Sequence, residues 1–179
     1  GQVVWETNTI APAKPILASL PATTNQQTIL IAGTAEAGST VQIYQNDVLA
    51  GTIAAGDQNS FSRSIDLELG NNVIFVKSID SAGNVSAPSA AQAVIFDTEN
   101  PVFSSVIVNP DPARAGSTKI TFTVSKTLEA NPAVTANNKP AVFNSLNDLT
   151  YAYTYEVSGN DAQGETAVKI QGKDLAGNS

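Results

Sequence analysis

Apolar residues along this chain come in short runs broken by polar turns. Val41 and Ile43 alternate with Gln42 and Tyr44, and Ile120, Phe122 and Val124 alternate with Thr121 and Thr123. That period of two is the pattern of a half-buried β-strand. Thr28-Ile29-Leu30-Ile31 ends at Gly33, and residues 48–54 end at Gly56-Asp57. Phe61, Ile65 and Leu67 mark a further strand, closed by a turn at Gly70-Asn71-Asn72. Residues 73–79 and 91–96 complete this half, with Pro15-Ile16-Leu17 as an edge strand. About seven strands at this spacing are what a β-sandwich needs. The second half predicts strands over residues 102–108, 119–124, 133–136, 141–143, 151–157 and 166–172, with a turn at Asn137-Asn138 that matches the Asn46-Asp47 turn of the first half. Residues 127–130 predict one helical turn, and nothing longer reads as helix.

The two halves repeat. Asp80-Ser81-Ala82-Gly83-Asn84 returns as Asp174-Leu175-Ala176-Gly177-Asn178, 94 residues later. Val3-Val4-Trp5-Glu6-Thr7 echoes Val94-Ile95-Phe96-Asp97-Thr98 at a spacing of 91. A unit of roughly 90 residues fits one immunoglobulin-type sandwich. The expected fold is all-β: two tandem immunoglobulin-like β-sandwich domains, residues 12–97 and 98–179, joined by a short linker. Residues 1–11 then read as a remnant strand of a preceding repeat, with Trp5 as its apolar anchor. The second domain lacks its last strand, because nothing after Asn178 matches residues 91–96. Pro101 stiffens the linker by fixing one dihedral and restricting Asn100.

Residues 31–44 (IAGTAEAGSTVQIY) and Leu69-Gly70-Asn71-Asn72-Val73-Ile74-Phe75-Val76 resemble bacterial Ig-like (Big) repeats. The second half is similar to a related variety through residues 122–128 (FTVSKTL), Pro132-Ala133-Val134-Thr135 and the Asp174 turn. The family often has Glu where Lys126 stands here. The resemblance implies an extracellular or bacterial cell-surface setting, in adhesin-type stalks or beside the catalytic domain of a secreted enzyme.

Composition narrows the chemistry. The 179 residues include no Cys, no His and no Met. The usual zinc ligands and the common thiolate and imidazole catalysts are therefore missing. A net charge of −7 with scattered basic residues argues against nucleic acid. No apolar run is long enough to insert in a membrane as a helix. Glu36, Glu68, Glu129, Glu156 and Glu165 are dispersed, so no carboxylate pair suggests a glycosidase.

Candidate sites are few. Asp80 and Asp174 read as turn-forming carboxylates that accept backbone N–H bonds, in preference to calcium ligands. Asp97, Glu99 and Asn100 at the linker are candidate ligands of a structural Ca²⁺. Tyr151, Tyr153 and Tyr155 share one strand face, as core packing or, less favoured, as a sugar-stacking ladder. If Ile74 and Val76 face inward, Val73, Phe75 and Ile79 face outward, and Tyr44 joins them as an apolar contact patch. The expected function is a non-catalytic structural or interaction module, with neighbouring repeats and a protein or glycan ligand as partners. The alternative is an accessory, carbohydrate-binding module of a secreted polysaccharide-active enzyme.

Overall fold

The computed structural model describes residues 7–161 and 164–179. Every regular element in them is a strand, and they fall into two compact units, Gly1–Asp97 and Thr98–Ser179. Trp5 lies outside the described residues.

The first unit carries β1 (Ile16–Leu17), β2 (Thr23–Thr24), β3 (Thr28–Thr34), β4 (Thr40–Gln45), β5 (Val48–Ala54), β6 (Ser60–Asp66), β7 (Gly70–Ile79) and β8 (Gln92–Phe96). One sheet has the order β1-β3-β6 and the other β2-β8-β7-β4-β5. The alternation of each strand sends one set of side chains between the sheets. Ile29, Ile31, Phe61 and Ile65 come from one side, and Val41, Ile43, Ile74, Val76 and Val94 from the other. Leu30, between Ile29 and Ile31, is exposed. Gly33 has no room for a side chain, because a Cβ there would meet the Ile16 carbonyl oxygen and the Phe61 ring. This close approach seats β1 on β3.

The second unit carries β9 (Phe103–Asn109), β10 (Gly116–Val124), β11 (Ala133–Ala136), β12 (Lys139–Pro140), β13 (Val142–Asn147), β14 (Thr150–Val157) and β15 (Val168–Gln171). Its sheets are β13-β14-β10-β9 and β12-β11-β15. Ile120, Phe122, Val124 and Val134 pack with Tyr151, Tyr153 and Tyr155. The Phe122 ring stacks on Tyr151 and Tyr153, with centroids 5.5 and 5.9 Å away. In the first unit β7 lies between β4 and β8. Its counterpart β15 pairs with β11 on one edge and, among the described residues, with no strand on the other.

Three local expectations differ from the structure. Residues 127–130 form no helical turn, because Leu128 bridges to Asp174 and turns its side chain into the core. The turn at Gly70-Asn71-Asn72 is already the start of β7, since these residues pair with Phe96, Ile95 and Val94. The last strand begins at Val168 rather than at residue 166. Residues 166 and 167 sit where β7 draws its ladder from β8, and among the described residues that ladder has no partner strand here.

Candidate functional site

The outward face of the five-stranded sheet brings together the side chains that the sequence places there. Tyr44 and Phe75 are direct cross-strand partners on β4 and β7. Their rings stack with centroids 5.0 Å apart and planes 3° from parallel. Lys77 reaches over both rings, 5.3 Å from the Tyr44 centroid and 5.9 Å from that of Phe75. The Tyr44 hydroxyl donates to Gln42 Oε1 at 2.9 Å. Val73 is partly exposed on the same face, and Ile79 is half-buried at the far end of β7. Leu49, the partner of Tyr44 on β5, is also exposed, and so is Ile95 on β8. An apolar diagonal therefore crosses four strands, from Ile95 through Val73 and the Phe75–Tyr44 pair to Leu49. The stacking sets one face of each ring against the other, and the Lys77 ammonium lies over both rings.

The tyrosine ladder of β14 offers no exposed ring face. Tyr151, Tyr153 and Tyr155 are at most 6% exposed. Burial raises the pKa of each phenol. The Tyr153 hydroxyl donates to the Pro132 carbonyl at 2.5 Å, and that of Tyr155 donates to Asp161 Oδ2 at 2.9 Å.

The repeated Asp turns are filled by their own chain. Asp80 Oδ1 accepts the amides of Ala82 and Asn84 at 2.9 and 2.8 Å. Its Oδ2 accepts from the side chains of Asn84 and Asn8 at 2.8 and 2.9 Å. Gly83, at φ 88°, takes the left-handed position of the turn. Asp174 repeats the arrangement with Ala176, Asn178 and Gly177, and Lys126 Nζ adds a contact to Oδ2 at 3.3 Å. With these donors in place, the carboxylates act as turn acceptors.

At the linker, the Asp97 amide donates to the Thr24 carbonyl at 3.0 Å in the first unit. Glu99 and Asn100 open the second unit, where Lys126 Nζ donates to the Glu99 carbonyl at 2.7 Å. Among the described residues, no three Asp or Glu side chains gather to hold a metal ion.

One polar centre escapes sequence reading. Asp161 is buried at the corner between β14 and β15. It pairs with Lys139 and accepts from Tyr155, from the Ser158 amide at 3.0 Å and from the Ser158 hydroxyl at 3.0 Å. The Lys139 ammonium, the Ser158 amide and the Tyr155 hydroxyl together hold its carboxyl well below the usual range, against the opposing effect of burial. In the first unit Asn72 does the same corner work. Its Nδ2 donates to the carbonyls of Glu68 and Gly70 at 2.8 and 2.9 Å, and its Oδ1 accepts the Glu68 amide at 2.9 Å. Both centres staple a corner of a sandwich.

Comparison with known proteins follows the same division. No curated protein matches the chain. Among solved structures, it is similar to fibronectin(III)-like modules of Clostridium thermocellum CbhA. The TM-score is 0.51 at 14% identity, over 92% of this chain and 87% of that one. A weaker likeness links it to the central fibronectin-III array of RIM-binding protein. There the TM-score is 0.34 at 17% identity, over 95% of this chain and 60% of that one. At such identity the CbhA likeness speaks for a shared fold of tandem β-sandwiches. Residues 11–94 match the family model of the bacterial Ig domain, a span that runs from the start of the first sandwich into β8 and includes the stretches that resemble bacterial Ig-like repeats.

Proposed function

We propose that the chain is a non-catalytic spacer and interaction segment of a bacterial cell-surface or secreted protein, of the kind that builds adhesin stalks. The observation that carries this reading is the bacterial Ig match over residues 11–94 in a chain without His or Cys. The buried polar centres support it, because each is consumed in bracing a sandwich corner or turn. Neighbouring repeats are its structural partners. The apolar diagonal of the first unit, with Phe75 and Tyr44 at its middle, is the surface offered to a protein ligand. The carbohydrate-binding alternative draws no support from the tyrosine ladder, which is buried.

The test is a swap in the parent protein. Replacing this segment by unrelated Ig-like domains of equal length is expected to preserve surface display, and to preserve ligand adhesion unless the diagonal itself makes contact. Phe75→Ser in the native segment separates the two cases, weakening adhesion but not folding if the diagonal binds. A catalytic activity lost with the swap, or a segment inaccessible to antibody on intact cells, would overturn the proposal. Calcium at Asp97, Glu99 and Asn100 has a separate test by titration calorimetry. Binding heat and a melting point above that in EDTA speak for it, and the lack of both speaks against it.

A further inference from the structure

The first sandwich has an open side. There β5 ends the five-stranded sheet and β6 ends the three-stranded one. Among the described residues, β5 pairs with β4 alone. Its sequence, Val48-Leu49-Ala50-Gly51-Thr52-Ile53-Ala54, holds no charge and no proline. Val48 and Leu49 are 68% and 48% exposed. An uncharged, unpaired strand edge is a template for another strand, and folded proteins blunt such edges.

Arg63 supplies the blunting. Alternation on β6 puts residue 63 in phase with Phe61 and Ile65, which are both buried. Its partner across the ladder is Ile31, fully buried as well. An apolar side chain is expected at such a position, yet an exposed arginine stands there. Its guanidinium crosses to the other sheet, where Nη1 donates to the Thr52 carbonyl at 2.8 Å. In an antiparallel ladder both polar groups of one residue point to the same side, so the Thr52 carbonyl and amide lie along the free edge. Gly51 makes the room. A Cβ there would lie 2.7 Å from Nε and 3.2 Å from Cζ of Arg63. Gly51 is not among the residues of positive φ, so what the position uses is the missing side chain.

We propose that Arg63 is a cap that closes the β5 edge, with Gly51 as its seat, and that without the cap β5 pairs with the β5 edge of a second copy of this chain. The neutral sequence of β5 suits it to its own copy, since two such strands meet with no like charges opposed. The inference goes beyond the spacer reading and does not depend on it.

Two substitutions open the edge by different routes. Arg63→Ala removes the cap, whereas Gly51→Ala keeps the arginine but displaces it. Sedimentation velocity from micromolar to millimolar chain should give either variant an average mass at least twice that of the parent at the same concentration. Hydrogen exchange in the associated variant should slow at the amides of Thr52 and Ala54. Thr52→Pro removes the edge amide without removing a ladder bond. Added to either variant, it should restore the mass of the parent. An Arg63→Ala chain that melts lower but sediments as the parent does would overturn the proposal and leave Arg63 as packing alone. So would association that Thr52→Pro does not reduce. Should Arg63→Ala fail to fold, Gly51→Ala decides by itself, and a mass equal to that of the parent overturns the proposal.

Discussion

Asp174 and Asp161 decide how the second unit responds to acid. Burial alone would raise the Asp174 pKa, but the Asn178 side chain and amide, Lys126 and the Ala176 amide outweigh it and lower it. Asp161 is lowered first by Lys139 and then by Ser158 and Tyr155. Asp80 is lowered in the first unit, chiefly by the Asn84 side chain. A carboxyl whose folded pKa lies below its unfolded one binds fewer protons in the native state. Its contribution is complete above the ordinary carboxylate range of about 4 and is lost as pH falls through the folded value. Lys139 is 53% exposed, so salt screens its share of the pair. Melting temperatures measured from pH 7 to pH 2 should therefore hold level to about pH 5 and then fall. Asp161→Asn should lower the melting point of the second unit at neutral pH and flatten its acid slope. An unchanged slope would mean that this carboxylate does not couple to folding. Asp174 was legible in the sequence because its turn recurs as a pattern. Asp161 was not, since Lys139 lies 22 residues away and is joined to it only by the fold.

Two hairpins follow one rule at the level of the element. Asn46-Asp47 between β4 and β5 has φ of 51° and 65°, and Asn137-Asn138 between β11 and β12 has 51° and 59°. Two successive residues with positive φ form the type I′ turn whose twist matches paired strands. Asn and Asp tolerate that conformation, whereas a β-branched residue is strained there by about 1–2 kcal/mol. Asn138→Val should destabilise the second unit by that amount in urea, while Asn138→Gly should be neutral or slightly stabilising. Equal midpoints for the Val variant and the parent would show that β12 does not depend on the turn. Period-two alternation made most strands readable, among them β4, β5, β11 and β14. It could not reveal β2, two threonines that become a strand only by pairing in parallel with β8. It also extended the last strand too far, since residues 166 and 167 carry strand-like sequence but pair with no strand among the described residues. On the outward face, alternation placed Phe75 and Val73, but the ring stacking with Tyr44 and the Lys77 cover depend on cross-strand register. Register is invisible without the partner strand.

For the molecule as a whole, the two cores raise the question of whether folding occurs in one step or two. Each unit has its own buried cluster, and none of the clustered residues is shared. The first closes its larger sheet with β8, whose Val94 is fully buried, whereas in the second Val108, Val157 and Val168 are only partly buried where they line an open groove. Less apolar area removed from water means less stabilisation at about 25 cal/mol per Å². Calorimetry on dilute chain should therefore resolve two transitions, with the second unit melting at the lower temperature. Two conservative truncations identify them. Ile43 and Ile120 are at most 1% exposed, one in each core. Removing one methyl from either costs about 1 kcal/mol, which shifts a domain of this size by about 4–8 °C. Ile43→Val should move only the upper transition, and Ile120→Val only the lower. A single transition displaced by both variants would show that the units fold as one. The reverse assignment would show that the groove costs the second unit less than its aromatic stack returns.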